Sequence, residues 1–249
     1  FQEHLKFNEF FAEIKAYSHK KNKITGKIKI GYISADFRQH VMFYFYHQLL
    51  ACYDNSKFEV TCYCLNQPDV ITEYIKTLVD HWRVLNNLEH NEAAKIIYQD
   101  KLDILIDLSG HSANNALGIL AYKPAGIQIS GLGYFNTTGL KAVDYFISDK
   151  YLEPTANQQY FTEQLLVLAG SQFCYTGQSN IVESKEAPCK SNGYITFGSF
   201  NNYAKLSDDV LLLWLEILYR VPQAKLLIKT QVAANDSGVN FINERLEKL

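Results

Sequence analysis

The chain is short of methionine, with Met42 alone, so Phe1 does not read as an initiator. Cysteine is sparse and odd in number, at five, and lacks the paired spacing of a metal site. That usage suits a reducing compartment, and the expected localisation is cytoplasmic. Long apolar runs are missing: none nears the roughly 20 residues that a membrane-spanning helix needs. The N-terminal segment is amphipathic and charged, unlike a signal peptide. Basic runs are missing beyond Lys20-Lys21, and the formal net charge is −2. This leaves no electrostatic case for nucleic acid or an anionic membrane surface as a partner. A GxGxxG fingerprint is absent too, which disfavours an NAD-type oxidoreductase. No serine-centred elbow, Cys/His pairing or paired carboxylate motif occurs, so no metal site and no nucleophilic chemistry is expected.

What is present is a chain of 249 residues, 47% apolar, enough for one large domain or two smaller ones. Residues 1–18 carry Phe7, Phe10, Phe11 and Ile14 at helical spacing. From Lys27 short apolar runs alternate with helical ones. Strands are expected at 28–34, 58–65, 102–108, 127–132 and 143–148, with a short one at 82–85. Helices are expected at 41–52, 70–80, 91–98 and 113–121. Within the second strand, alternation puts Phe58, Val60, Cys62 and Cys64 on one face, which makes the two cysteines buried thiols. Such alternation implies a parallel sheet covered on both faces, a doubly wound, Rossmann-like layout.

Residues 169–192 lose periodicity and read as a connector. Alternation then restarts, with a strand at 193–199, a helix at 207–220, a strand at 224–228 and a helix at 238–248. This second series is too short to close a sheet and reads as the start of a second Rossmann-like domain. The C-terminal helical pattern stops without a cap or glycine. The expected organisation is therefore 1–26, an opening helix; 27–170, a Rossmann-like domain; 171–192, a connector; and 193–249, an incomplete second domain, in a piece of a longer chain.

In open parallel sheets ligands lie beyond the carboxyl ends of the strands. The loops there are polar and bear histidine: Ser34–His40 after the first strand, Ser109–Asn115 after the fourth, Gly131–Leu140 after the fifth. His40, four residues beyond Asp36, suits a general base or hydrogen-bond donor, or else marks an ordinary helix start. His111 follows Gly110, which permits close approach of a ligand or merely makes a turn. In GLGYFNTTGL, Thr137 and Thr138 could present hydroxyls to a sugar or phosphate. Lys205 stands just before a helix capped by Ser207, with Asp208 and Asp209 in its first turn. Those carboxylates make that helix end a poor phosphate cradle, so Lys205 either meets a diphosphate from the side or is simply solvated.

Taken in order, EHLKF, KIGYISADFRQH, DILIDLSGHSANN, IQISGLGYFNTTGL, VDYFISD and FGSFNNYAKL resemble the protein O-glycosyltransferase family. That family holds the O-GlcNAc transferases and the SPINDLY-type O-fucosyltransferases, and the forms here are closer to SPINDLY-type and bacterial members. The resemblance covers about residues 3–228 and implies a GT-B architecture. It implies metal-independent, inverting transfer of a sugar from a nucleotide-sugar donor to Ser or Thr hydroxyls of an acceptor protein. No cofactor is implied beyond that donor, UDP-GlcNAc by preference and GDP-fucose as the alternative. Tetratricopeptide repeats would precede the chain, and the main phosphate-binding helix would follow Leu249, so the chain alone is expected to turn over little.

Carried over by motif, His40 matches an active-site histidine, Asp36 an acid suggested to assist proton removal, and Lys205 the lysine on the donor diphosphate. Asn202 stands beside it in place of a glutamine. His4 falls on the acceptor side, His111 is a candidate substrate-binding residue, and Leu132, Gly133 and Phe135 border sugar and acceptor. Phe135 departs from a usual proline, and Val41-Met42 from a usual small or polar pair. The rival reading is a non-catalytic nucleotide-sugar-binding or interaction module, favoured if those residues close the pocket.

Overall fold

The computed structural model describes residues 1–20, 25–152, 154–177, 182 and 184–249. The chain divides into two compact units, Phe1–Gln178 and Ser179–Leu249. The 171–192 connector falls partly outside the described residues.

Unit 1 opens with α1 (Gln2–Phe7) and a 3-10 turn (Asn8–Phe11). The helix expected to reach residue 18 stops there. Beyond it Tyr17 takes tertiary partners instead: its N–H donates to Tyr122 O at 2.8 Å and its ring stacks on Tyr98. There follow β1 (Ile28–Ser34), α2 (Phe43–Ala51), β2 (Phe58–Cys64), α3 (Val70–Lys76), β3 (His81–Val84) and α4 (His90–Asp100). The remainder is β4 (Ile104–Asp107), α5 (Leu117–Leu120), β5 (Ile127–Ser130), β6 (Tyr145–Asp149), α6 (Pro154–Asn157) and β7 (Gln164–Leu168).

The strands form one parallel sheet in the order β3-β2-β1-β4-β5-β6-β7. Strand order reverses between β1 and β4, which is where such sheets open a ligand crevice. Successive residues feed opposite faces. Tyr32, Val60, Cys62 and Cys64 enter the core under α2 and α3, while Ile33, Tyr63 and Leu105 enter the core with α4 and α5. Each fully buried Ile, Leu or Phe in these two cores contributes roughly 1.5–3 kcal/mol. Burial pushes the Cys62 thiol well above its ordinary pKa, so it behaves as a core side chain.

Two elements differ from expectation. α5 is one turn long rather than spanning 113–121, because Asn114 is left-handed (φ 56°) and the Asn115 side chain caps Leu117 N. β7 is an additional strand. Only Leu165 of its five residues is buried, so a half-exposed edge strand gives no alternation to read.

Unit 2 contains α7 (Pro188–Asn192), β8 (Thr196–Ser199), a 3-10 turn (Tyr203–Lys205), α8 (Asp208–Arg220), β9 (Lys225–Ile228) and α9 (Asp236–Glu247). Its two strands are parallel, and Tyr203, Leu206, Leu211 and Ile242 form its core. Among the described residues no helix is long and apolar enough to cross a membrane.

Candidate active site

At the switch point the β1 loop is held by its own strand end. Ser34 Oγ accepts from Asp36 N at 3.0 Å and lies 3.4 Å from Ser109 Oγ on the β4 loop. Tyr46 of α2 donates to Asp36 O. Asp36 Oδ1 meets Arg38 at 3.3 Å and His40 Nδ1 at 3.5 Å. The same Nδ1 accepts from Met42 N at 3.4 Å. These two contacts need different states of one nitrogen. When Nδ1 carries the proton and faces Asp36, Nε2 keeps its lone pair and can take a proton. When Nδ1 accepts from Met42, Nε2 is the donor.

Asp36, Arg38 and His40 line one wall of a crevice of about 850 Å³, whose other walls include Asn66, His90 and Asn114. Neither Val41 nor Met42 lines it: Val41 is exposed and Met42 packs onto the core under α2.

A second cluster forms where α1 meets the β4 and β5 loops. His4 Nε2 lies 2.9 Å from Tyr134 Oη, and its ring meets that of His111 edge-on at 4.8 Å. The Phe7 ring also packs against His111, edge-on at 4.7 Å. The close approach requires glycine: at Gly139 (φ 74°) a Cβ would lie 1.9 Å from His4 O. Burial first, and then the neighbouring His111, holds the His4 pKa below its ordinary value, so His4 favours the neutral state. His4 Nδ1 is buried without a partner.

His111 donates from Nε2 to Thr138 O at 2.8 Å. The chain leading to it is pinned by Asp107, fully buried, which accepts from Ser109 N, Gly110 N and Ser130 Oγ at 2.7–3.1 Å. Burial raises the pKa of Asp107, and those hydrogen bonds partly offset the rise.

On the β5 loop Leu132 is buried with φ 71°, and Gly133 sits against Leu108, where a Cβ would fall 2.0 Å from the carbonyl oxygen. Phe135 projects outward, 64% exposed, beside Phe173. The reading of Thr137 and Thr138 as hydroxyls for a sugar is corrected. Both are fully buried, and both hydroxyls donate to the Glu163 carboxylate. A polar loop looks the same in sequence whether its donors serve a ligand or its own fold.

In unit 2 Asn202 is spent locally, its side chain accepting from Ala204 N at 3.1 Å. Lys205 follows, exposed, and its ammonium forms no ion pair with the described residues. Ser207 caps α8, accepting from Val210 N. Asp208 is bound by Arg245 of α9 at 2.8 Å, which offsets one of the two carboxylates at that helix end.

Thus Asp36 and His40 come together on one loop, and His4 and His111 in one cluster of the same unit; Asn202 and Lys205 lie on the other unit. Sequence reasoning passed over Arg38, Tyr134, Asp107 and Glu163. The first three lie inside motifs already singled out. Glu163 has no local signal, since it acts on residues 25 and 26 positions away.

Fold and loops together define a GT-B-type α/β protein with its polar loops at the carboxyl edge of the sheet. The sequence profile of glycosyl transferase family 41 matches residues 9–183, and the chain belongs to that family. The chain is 36% identical over 228 residues to Petunia hybrida SPINDLY, covering 90% of this chain and 24% of that protein. It is 38% identical over 227 residues to Arabidopsis thaliana SPINDLY, covering 89% and 25%. Both are described as probable UDP-N-acetylglucosamine–peptide N-acetylglucosaminyltransferases. A solved Thermobaculum terrenum O-GlcNAc transferase mutant superposes with a TM-score of 0.88 at 27% identity, covering 98% of this chain and 47% of that one. The chain spans about a quarter of the length of the curated relatives it matches.

Proposed function

We propose that this protein transfers a sugar, N-acetylglucosamine, from UDP-GlcNAc to Ser or Thr hydroxyls of acceptor proteins in the cytoplasm. The observation that carries this is the Asp36–His40 pair, 3.5 Å apart on the wall of a large polar crevice at the switch point of a family 41 sheet. The acceptor oxygen attacks the sugar's anomeric carbon as the bond to the diphosphate breaks, in one displacement with inversion. The hydroxyl proton passes to the Asp36–His40 pair, with Nε2 of His40 as the receiving atom. Lys205, an uncommitted ammonium, offsets the charge developing on the leaving diphosphate, a role that needs no metal. The descriptions of the plant relatives as N-acetylglucosaminyltransferases support the donor. Five free cysteines support the compartment.

The open crevice weighs against a non-catalytic module, since neither Met42 nor Phe135 fills it. The test is sugar transfer by the full-length chain, with UDP-GlcNAc and GDP-fucose side by side and Lys205→Ala as control. Release of UDP, cut about 10²–10³-fold by the substitution, is the expected result. Release of GDP alone reassigns the donor to the fucosyl alternative. Silence with both donors and a range of acceptors favours the binding-module reading.

A further inference from the structure

Glu163 is a carboxylate 1% exposed, one residue before β7. Burying such a group is costly unless its oxygens are fully engaged. Here the partners are neutral: Thr137 Oγ1 at 2.6 Å, Thr138 N at 2.8 Å and the Thr138 hydroxyl. No Lys, Arg or His of the described residues forms an ion pair with it. The two hydroxyls in turn accept N–H groups from Gly139, Leu140 and Thr162 at 3.1 Å. The Glu163 main chain is held as well, because Gln158 donates to its carbonyl and accepts from Leu165 N.

Thr138 is the joint. Its N–H and hydroxyl are tied to Glu163, while its carbonyl accepts from His111 Nε2 at 2.8 Å. A carbonyl can only accept, so the Nε2 position must carry the proton. In the neutral ring Nδ1 is then the nitrogen with the lone pair, and it has no hydrogen-bond partner among the described residues. The ring edge lies against His4, whose own Nε2 reaches Tyr134. If the carboxylate served only to close a loop, an apolar pair in place of the threonines would do so without a buried charge.

We propose that Glu163 is a positioning residue which, through Thr138, sets the orientation and tautomer of the His111 imidazole that packs against His4. This rests on the glycosyltransferase reading for its effect on transfer, but not for its effect on the imidazole. Glu163→Ala probes it directly. It removes both accepting oxygens, so the Thr137 hydroxyl, the Thr138 hydroxyl and the Thr138 N–H lose their partner together. The Thr138 carbonyl then loses its fixed place.

The experiment is the ¹⁵N spectrum of the histidine side chains in the full-length protein, beside steady-state transfer kinetics. In the parent, His111 is expected as the pure Nε2–H tautomer. In folded Glu163→Ala it is expected as a tautomer mixture, with kcat reduced roughly 10- to 100-fold and donor KM changed less than about threefold. Thr138→Ser keeps both donors to Glu163 and is expected to behave as the parent. Should Glu163→Ala fail to fold, Thr138→Val removes one donor only and is read in the same way. An unchanged Nε2–H signal in the folded variant overturns the proposal, as does unchanged kcat with an altered signal. A parent that transfers no sugar overturns the glycosyltransferase reading instead, while the imidazole spectrum still decides the role of Glu163.

Discussion

The hydroxyl of Tyr46, a completely buried residue of α2, donates a 2.9 Å hydrogen bond to the main-chain oxygen of Asp36. The core under the sheet thereby holds the loop that carries Asp36 and His40. Tyr46→Phe keeps the ring and removes the donor, leaving a buried carbonyl unpaired. A loss of about 1–2 kcal/mol is expected, measured by urea unfolding. Transfer should fall with it, because the loop gains freedom where it needs to be fixed.

Asp36 and His40 are expected to act as one unit. His40→Ala should cut transfer by about 10²–10⁴ with little change in melting temperature, since the imidazole is partly exposed. Asp36→Asn should do much the same, because His40 then loses the partner that places its proton on Nδ1. The double variant should be little worse than either single one. Additive losses in a double-mutant cycle would separate the two residues.

Gly139 combines φ 74° with no room for a Cβ, 1.9 Å from His4 O. Gly139→Ala is expected to destabilise unit 1 by roughly 1–3 kcal/mol and to free α1 from its seat. Gly170, around which nothing lies within 4 Å, is the control. Gly170→Ala should stay within about 0.5 kcal/mol. Hydrogen exchange in α1 separates the two outcomes.

His4 predicts a pH dependence of stability. Its folded pKa lies below the ordinary 6.5, through burial first and His111 second. Above pH 6.5 both folded and unfolded forms are neutral and the contribution is fully present. As pH falls from 6.5 toward the lowered folded value, the unfolded chain binds the proton first and stability is lost. His4→Gln should flatten that part of the curve. An identical slope in the variant would exclude His4 as its source.

The parallel sheet was legible because its central strands are buried on both faces and bounded by turns. The alternation of Val60, Cys62 and Cys64 against Tyr63 already assigned them to opposite faces. β7 was not legible, since one buried leucine among four exposed positions carries no period. α5 was overread because apolar content at 113–121 continues past two asparagines whose backbone does not. Thr137 and Thr138 looked available because side-chain type says what a group can donate, never what it already donates to.

The central strands β1, β2, β4, β5 and β6, and the loops that bear Asp36, His40, His111 and Lys205, were determined by sequence alone. They rest on local propensity and periodicity, which neighbouring residues decide. The tertiary structure decided which loops meet: His4 of α1 against His111, Thr138 against Glu163, Tyr46 under Asp36. Those pairings join residues 10 to 107 positions apart in the chain. They come from the packing of helices on the sheet and the close approach that glycine permits, and no local pattern records either.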